Sequence, residues 1–487
     1  MNLRRAWKKP DEAWLLPLSL TFTYVINIAF YYIGLCFQAN PVREALFLVG
    51  CAGFALVSVL MMVQLLRSQR IPWRKLVLPG LVLVFFAAYL LYALISSAFH
   101  MQVVMTVGRF GLIAFPAFCC GVYGAIARTE ASFLAKMETL AFFALPAGVI
   151  YMVGSLFNCN PYNYGRDLGI LGYNNVAYTL MPLFMALFLQ FCGKEPLQVP
   201  LLRWQPKHPQ VVRGVMMAVF WWSILATGTR GTYVCLAVFC VLLLFSQLIH
   251  RESIRATGLI SLVMVAILAF NLSPLAPTGM QWVSRLNLFL GGLKEGEIVT
   301  TESDTELVDS HLKDLIESDT LNPGDSGAPN ASGDSGASGD SDVDLSEVAG
   351  QMGSRGSLFK VAWFEFLKSP ITGMGAYGYQ MKYGYYPHNA LLQLLCETGL
   401  VGTLSLLFLI LLAVVSILKA GWKNRPVRYL LLFFATYAVQ ANVSGNLWEC
   451  APLLCALGYG LTVMTTRQKD LSHAQENVTP TKQGELP

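Results

Sequence analysis

The chain is poor in charge. Only 13% of its 487 residues are Asp, Glu, Lys or Arg, whereas 55% are apolar. Soluble proteins carry about 25% charged residues, and hydrocarbon penalises ionised side chains. The formal net charge is a modest +5, and no nucleic-acid partner is predicted. The composition indicates an integral membrane protein.

Metal-binding and redox motifs are also missing. The eleven cysteines form no Cys-x-x-Cys motif and no Cys/His cluster with zinc spacing, and most lie inside apolar runs. We interpret them as small apolar residues. The short connections contain no paired aspartates, so neither a metal nor a cofactor is predicted. The basic start precedes an apolar run that is too long for the core of a cleavable signal peptide.

Long apolar segments dominate the rest. Twelve of them are long enough, or nearly so, to cross the ~30 Å hydrocarbon core of a bilayer as helices. The predicted fold is therefore an all-α integral membrane protein. The predicted crossings are residues 14–36, 45–66, 77–97, 106–126, 138–157, 170–192, 211–228, 232–250, 257–275, 399–418, 427–445 and 450–466.

Basic residues predict the side of the membrane on which each connection lies. Most of the 34 lysines and arginines fall in every second connection and in both terminal tails. Positive charge in short loops marks the cytoplasmic side. Both termini, including the tail 467–487, are therefore predicted to be cytoplasmic, which agrees with an even number of crossings.

One outside connection, residues 276–398, is much longer than the others and separates helices 9 and 10. It lies between nine crossings (1–275) and three (399–466). Its middle, about 294–350, holds about half of the chain's 29 acidic residues and is rich in Gly, Ser and Asp. Such a segment cannot bury enough apolar surface to offset its ordering entropy, so it is predicted to be disordered.

Order is predicted to return at "RGSLFKVAWFEFLKSP". Lys360, Glu365 and Lys368 fall on one arc of a helix at about 355–368, and apolar side chains cover its remaining face. This pattern favours a helix that lies at the membrane surface or over the membrane domain. The next stretch, "TGMGAYGYQMKYGYYPHN", is expected to be an irregular loop because it is rich in Gly and Tyr.

The stretch "YYPHNALLQLLCETGLVG" joins a histidine to a polar helix face. Asn389, Gln393 and Glu397 recur every four residues on a leucine-rich helix, so their stripe faces protein or water rather than lipid. His388 lies at the start of this helix, and a histidine there can take or give a proton near neutral pH. His388 and Asn389 fit equally well a pair that caps the helix and has no chemical role.

Three arginines are predicted on the outside. Arg230 lies in a glycine-flanked turn, Arg355 begins the surface helix, and Arg109 lies near the outer end of the fourth crossing. Glycine lets a ligand approach the backbone, and an arginine at a helix N-terminus makes a phosphate site. The alternatives are an arginine that extends to the interface or forms a salt bridge. Asn174 and Asn175, which open the sixth crossing, fit a helix-joining role better than a substrate role.

These residues together suit one chemistry. Outside arginines suit a diphosphate at the membrane surface, and a nearby histidine suits activation of a hydroxyl acceptor. A metal-free transfer, in which arginines stabilise a diphosphate leaving group, fits the residues better than a magnesium-dependent reaction.

Three stretches resemble the superfamily of O-antigen ligases and O-antigen polymerases, which are bacterial envelope glycosyltransferases. They are "TGTRGTY", "GSRGSLFKVAWFEFLKSPITGMGAYGY" and "HNALLQLLCETGLVG". The helix count and the large late outside loop are similar as well. The resemblance implies a GT-C-like membrane fold. It also implies an enzyme that passes a glycan from a polyprenyl-diphosphate carrier, commonly undecaprenyl diphosphate, to a sugar hydroxyl, with inversion and without metal.

The resemblance also implies roles for single residues. Arg230 and Arg355 would hold the diphosphate, and His388 would activate the acceptor hydroxyl, so these three are the candidate catalytic residues. The candidate substrate-binding or supporting residues are Asn389, Glu397, Arg109 and Asn174.

The acceptor is left open. A ligase would pass the glycan to lipid A–core, a polymerase would pass it to the next lipid-linked repeat, and a third variant would pass it to a protein hydroxyl. A transporter of lipid-linked sugars predicts internal repeats and charges near the membrane midplane. No repeat between the halves is evident, and the candidate charges lie at the outer edge. The site is predicted at the outer face of the bacterial cytoplasmic membrane.

Overall fold

The fold is helical throughout the part of the chain that the structure describes. This computed structural model describes residues 12–21, 40–68, 76–97, 103–104, 107–108, 110–156, 173–193, 206–227, 229–272, 355–383, 386–445 and 450–476. All regular structure in these ranges is helix, which confirms the all-α prediction. Most of predicted crossing 1 and the acidic segment 294–350 lie outside the described residues.

The described helices are numbered here in chain order. A 3-10 turn, Glu12–Trp14, comes before them, and a π-helical turn, Phe110–Ala114, leads into α3. The helices are α1 (Asn40–Ser68), α2 (Val77–Ser96), α3 (Phe115–Ala127), α4 (Glu130–Leu156), α5 (Tyr173–Gly193), α6 (Pro209–Thr227), α7 (Arg230–Ile249), α8 (Arg255–Leu272), α9 (Arg355–Lys368), α10 (Gly378–Tyr383), α11 (Ala390–Gly421), α12 (Arg425–Ser444) and α13 (Ala451–Glu476).

Many of these helices suit a membrane. Within the described ranges, seven segments are long and apolar enough to cross one, and they lie in α2, α3 with its π-turn, α4, α5, α6, α7 and α11. Shorter apolar stretches lie in α1, α8 and α13. Together they coincide with predicted crossings 2 to 10 and 12. The helix at the eleventh position, α12, carries Arg425 and Arg428 and is not among them. The chain is thus a multi-pass membrane protein, and the total of twelve crossings stays a prediction.

Helix α5 is the centre of the helix packing. Every side chain from Val176 to Gln190 is buried, and α4, α6 and α7 pack around it. The indole Nε1 of Trp221 in α6 donates to the carbonyl of Met264 in α8 at 2.9 Å. The starts of α5 and α7, which carry Asn174 and Arg230, are therefore attached to a close-packed framework.

A buried ion pair joins α4 to α6 near the beginning of α6. Arg213, in the first turn of α6, donates from Nε and Nη2 to the two carboxylate oxygens of Glu138, at 2.5 and 3.0 Å. Both side chains are almost completely buried. This two-pronged geometry satisfies both charges where no water can do so.

The Gly- and Tyr-rich stretch contains a helix, so the expectation of an irregular loop was wrong. Helix α10 spans Gly378–Tyr383. Tyr379 and Tyr383 lie one turn apart on it, and both are buried against α9. The hydroxyl of Tyr379 donates to the carbonyl of Leu358 at 3.2 Å. Burial of two tyrosines offsets the weak helix preference of the glycines around them.

Helix α11 is broken inside its length. Gly399 has φ 60° and ψ −164°, a conformation that is essentially restricted to glycine. The predicted tenth crossing, which begins at 399, corresponds to the part of α11 after this break. The part before it, from Ala390, is the polar-striped helix that the sequence predicts after Asn389.

The segment 370–375 pairs with the broken backbone, and we call this arrangement the Gly399 clasp. It supplies N–H groups to the carbonyls before the break and carbonyls to the N–H groups after it. The hydrogen bonds run from Met374 N to Cys396 O (2.9 Å), from Gly375 N to Glu397 O (2.9 Å), from Leu400 N to Pro370 O (2.8 Å) and from Val401 N to Ile371 O (3.2 Å).

The clasp requires glycine on both sides. A Cβ on Gly399 would overlap the backbone of Ile371 and Thr372, and a Cβ on Gly373 would overlap the backbone of Glu397. Gly373 also has a positive φ of 71°. The close approach of the two backbones therefore depends on two missing side chains.

We expect Gly399→Ala to destabilise the protein, because alanine would meet both a strained φ and backbone atoms. The midpoint of thermal unfolding in detergent should fall by about 2 °C or more, which corresponds to a loss of at least ~2 kcal/mol in a chain of 487 residues. Gly258→Ala in α8 is the control, since a Cβ there meets nothing within 4 Å. A Gly399→Ala protein as stable as the Gly258→Ala protein would contradict the clasp.

We also expect Arg213→Ala to be severely destabilising, because it leaves Glu138 buried without its guanidinium. Breaking such a pair costs about 3–5 kcal/mol, whereas an apolar replacement of both partners is often neutral. The double variant Arg213→Met/Glu138→Leu should therefore unfold at a clearly higher temperature than Arg213→Ala. Equal losses in the two proteins would argue against the ion pair as the cause.

Candidate functional site

The start of α11 is shaped by its capping residue, Asn389. This residue has extended backbone angles, φ −145° and ψ 112°, and its Oδ1 accepts from the backbone N–H of Leu392 at 2.9 Å. That bond satisfies one of the N–H groups that every helix start leaves without an intrahelical partner. The sequence left open whether His388 and Asn389 cap the helix. The side-chain oxygen of Asn389 does cap it.

His388 lies one residue before this cap in an unusual conformation. Its φ is +55°, a left-handed conformation that few residues other than glycine adopt and that clusters at functional sites. Its ring lies 4.2 Å from the ring of Tyr386, at an angle of 49°. The side chain is half-buried, so the imidazole is held by its surroundings and still has access to the surface.

Glu397 lies deeper than His388. Its side-chain Oε1 accepts from Gln393 Nε2 at 3.1 Å, and both side chains are fully buried. The predicted polar stripe therefore faces protein. At 1.5 Å per residue, Glu397 lies about 12 Å along the helix from Asn389. Its backbone carbonyl also accepts from the hydroxyl of Tyr89 at 3.3 Å, so Glu397 holds the helix in place beside the clasp.

The remaining candidates lie at helix starts. Arg230 is the first residue of α7, Arg355 is the first residue of α9, and Asn174 is in the first turn of α5. Arg109 lies outside the described residues. The N-terminus of a helix favours anions because its N–H groups point outward and its dipole is positive there.

The starts of α5, α7 and α11 meet around the end of α12. A Cβ at Gly231 in α7 would touch the hydroxyl of Tyr178 in α5 and, at 3.1 Å, the side chain of Val443 in α12. The neighbouring Asn442 accepts from the N–H of Leu391 in α11 at 3.1 Å. Three of the predicted site segments are therefore collected at one end of the helix bundle.

Helix α9 brings its own start toward the same region. Pro370, just beyond the end of α9, is bonded to Leu400 in the clasp. Leu358, in the first turns of α9, belongs to a buried cluster against which the partly buried Leu392 and Leu395, near the start of α11, pack. The helices α9 and α11 therefore run in the same direction side by side, and Arg355 lies toward the end at which His388 lies.

Glu365 is a residue whose role the sequence reasoning missed. It was placed on the polar arc of α9, but the structure buries it under α10. Its Oε1 accepts from the hydroxyl of Tyr383 at 2.6 Å and lies 3.2 Å from Lys382 Nζ and 3.3 Å from Lys368 Nζ. Burial by itself raises the pKa of Glu365, but the Tyr383 hydrogen bond and the two lysines outweigh it and hold that pKa below its ordinary value.

Glu365 therefore stays ionised near neutral pH and joins α9 to α10. The one signal in the sequence was an acidic residue flanked by Phe364 and Phe366, a setting in which a solvated carboxylate is uncommon. Its partner Tyr383 lies 18 residues later, in a stretch with no clear periodicity, so the pairing was not readable.

No metal-binding cluster occurs in the described ranges: no three His, Cys, Asp or Glu side chains come close enough to share an ion. The geometry offers a half-buried imidazole at one helix start. Two further helix starts, whose first residues are Arg230 and Arg355, lie toward the same end of the bundle. Such an arrangement can accept a proton from a hydroxyl and bind an anionic group close by.

Comparison with known families agrees with this geometry. Residues 215–407 match the family model described as O-antigen ligase, and this range includes Arg230, Arg355 and His388. No curated protein matches the chain. The matched range ends within α11, just beyond the Gly399 clasp. Over these residues, about two fifths of the chain, the protein is similar to the superfamily of O-antigen ligases and polymerases, and the match supports that superfamily.

Proposed function

We propose that this protein is a glycosyltransferase that moves a glycan from a polyprenyl-diphosphate carrier to a hydroxyl acceptor. The observation that carries this proposal is the left-handed backbone conformation of His388 at the start of α11. The residue lies inside the range that matches the O-antigen ligase family. The family consists of glycosyltransferase-like ligases and polymerases, and the positions of the helix starts support the same chemistry.

In the proposed reaction, the acceptor hydroxyl oxygen attacks the anomeric carbon of the donor glycan. The bond between that carbon and the diphosphate oxygen breaks, and the diphosphate leaves with the electron pair. The proton of the hydroxyl passes to the imidazole of His388. Attack from the side opposite the leaving group inverts the anomeric centre, and neither metal nor cofactor takes part.

The proposed binding of the diphosphate falls to Arg230 and Arg355, at the starts of α7 and α9. Charge develops on the diphosphate as the bond breaks, and fixed positive groups aimed at that charge lower the barrier. Guanidinium groups bind phosphate oxygens with two parallel hydrogen bonds. We assign Asn174 and Arg109 to the same donor pocket.

Asn389 and Glu397 are proposed to act through His388. The cap formed by Asn389 fixes the residue that follows the histidine, and the buried Gln393–Glu397 pair anchors the helix below it. Neither role requires contact with the glycan. Of these three residues, only His388 is proposed to contact the substrate directly.

Lipid A–core is our proposed acceptor, which makes the protein a ligase, and a repeat-unit polymerase is the alternative. In either case the site lies at the outer face of the cytoplasmic membrane, both termini are cytoplasmic, and membrane lipids surround the helices. The positive-inside pattern of the connections supports this orientation. A transporter of lipid-linked sugars has no need of a base at position 388.

We expect His388→Ala to reduce glycan transfer by about 10²- to 10⁴-fold, because it removes the proton acceptor. The assay would use proteoliposomes with a polyprenyl-diphosphate oligosaccharide and follow the products by mass spectrometry. His208→Ala, at an exposed histidine before α6, is the matched control and should keep full activity. Unchanged turnover of His388→Ala would rule out the proposed base.

The same assay distinguishes the acceptors. Transfer that occurs only when lipid A–core is added supports the ligase, whereas longer glycans without added core support the polymerase. If folded wild-type protein shows no transfer to either acceptor but moves the lipid-linked sugar across the bilayer, the transporter replaces the proposal.

We expect Arg355→Ala to lower kcat/KM for the donor by about 100-fold, because it removes a charge that stabilises the leaving diphosphate. Lys360→Ala is the control, since Lys360 is an exposed cation one and a half turns along the same helix. Arg355→Lys should recover only part of the loss because an ammonium group cannot form the paired hydrogen bonds. Equal kinetics for Arg355→Ala and Lys360→Ala would exclude Arg355 from donor binding.

A further inference from the structure

We infer that Asn442, in the last turn of α12, is a positioning residue that sets His388 at its working distance from Arg230. This inference rests on the proposed function. The Oδ1 of Asn442 accepts from the backbone N–H of Leu391 at 3.1 Å. The bond links the end of α12 to the start of α11, three residues after the histidine.

The Asn442 amide is fixed at both of its ends. Its Nδ2 donates to the carbonyl of Ala438, one turn earlier in α12, at 2.8 Å. The nitrogen therefore holds the side chain against its own helix while the oxygen faces α11. The residue is exposed, so this side chain does not fill a core, and its described contacts are these two hydrogen bonds.

Two asparagines thus satisfy successive N–H groups at the start of α11. Asn389, which directly precedes the helix, accepts a hydrogen bond from the N–H of Leu392 at 2.9 Å. Asn442, which lies on another helix, accepts one from the N–H of Leu391. Either bond stabilises the helix start. Only the bond from Asn442 also determines where that start lies relative to the rest of the protein.

The next residue on α12 contacts the other side of the site. Val443 approaches the position of Gly231, which directly follows Arg230, and α7 packs along α12. Two adjacent residues of one helix turn therefore face the start of α11 and the start of α7. The last turn of α12 acts as a spacer between the proposed base and a proposed diphosphate ligand.

The spacing matters because transfer requires the acceptor oxygen, the anomeric carbon and the leaving oxygen to be held in line. A displacement of about 1 Å can reduce the rate of such a reaction by about 10²-fold. If the Leu391 bond is lost, the start of α11 keeps the Asn389 cap and the clasp, so it should shift slightly and remain folded.

The test compares Asn442→Ala and Asn442→Asp with Asn424→Ala. Asn424 is the capping-position residue at the opposite end of α12, is exposed, and makes no side-chain cap bond. Glycan transfer would be measured in proteoliposomes with a polyprenyl-diphosphate oligosaccharide. We expect Asn442→Ala to lower kcat about tenfold with KM for the donor within about twofold of wild type. Asn442→Asp should recover part of kcat, because its carboxylate still accepts the Leu391 N–H although it can no longer donate to the carbonyl of Ala438.

A second readout does not depend on activity. Hydrogen–deuterium exchange of a peptide that covers residues 386–395 should be faster in Asn442→Ala and unchanged in Asn424→Ala, with the same unfolding temperature for both. Unchanged exchange in Asn442→Ala would overturn the inference even if no transfer assay worked. Faster exchange with wild-type kcat would overturn the positioning role.

The two proposals fail in different ways. Full activity of His388→Ala would refute the proposed base whatever Asn442 does. An inactive His388→Ala together with a fully active Asn442→Ala would refute only the positioning role. A large fall in unfolding temperature for Asn442→Ala would mean that Asn442 is needed for folding rather than for position. A kcat for Asn442→Asp no higher than that of Asn442→Ala would overturn the role assigned to the Leu391 hydrogen bond.

Discussion

The end of the helix bundle that carries His388 depends on the backbone pairing at Gly399. A helix that breaks inside its length leaves N–H and carbonyl groups without partners, and such groups cost several kcal/mol where water is scarce. The segment 370–375 satisfies groups on both sides of the break. Because that segment follows α9 and leads into α10, the position of both helices is tied to α11. Two sequence stretches, 355–375 and 388–402, therefore form one unit through main-chain bonds.

This unit explains why His388 can be held in a left-handed conformation. The helix that begins after it is fixed below by the clasp and by the buried Gln393–Glu397 pair, and above by asparagine caps. A strained residue persists only when its neighbours leave it no alternative. The polar stripe on α11 thus contributes to the site through rigidity. Its glutamate lies about 12 Å along the helix from Asn389 and bonds to a neighbouring side chain.

Local patterns in the sequence were enough for the elements and for part of the site. The helix at 355–368 and the helical stretch after Asn389 were readable because apolar periodicity and capping residues act over a few positions. The burial of Glu365, the helix α10 and the bond from Asn442 were not readable. Each depends on a partner that the chain places far away in sequence, and an isolated Asn in an apolar helix indicates only some contact between helices. The break at Gly399 was partly readable from the sequence, because a glycine indicates a possible break but nothing in the sequence indicates the clasp that stabilises it.

The direction of the helices favours the proposed chemistry at this end of the bundle. The starts of α5, α7 and α11 meet around α12, and α9 runs in the same direction as α11. Each helix start carries about half a positive charge from its aligned peptide dipoles. Where the surrounding dielectric constant is low, such charges act over longer distances than in water. A diphosphate would therefore be held by several fixed dipoles in addition to arginines, so the loss of one cation weakens its binding without abolishing it. The proposed proton transfer, in contrast, relies on one acceptor, the imidazole of His388. In the proposed reaction, donor binding would be distributed over several helix starts, whereas acceptor activation would depend on one side chain and on the contacts that hold it in place.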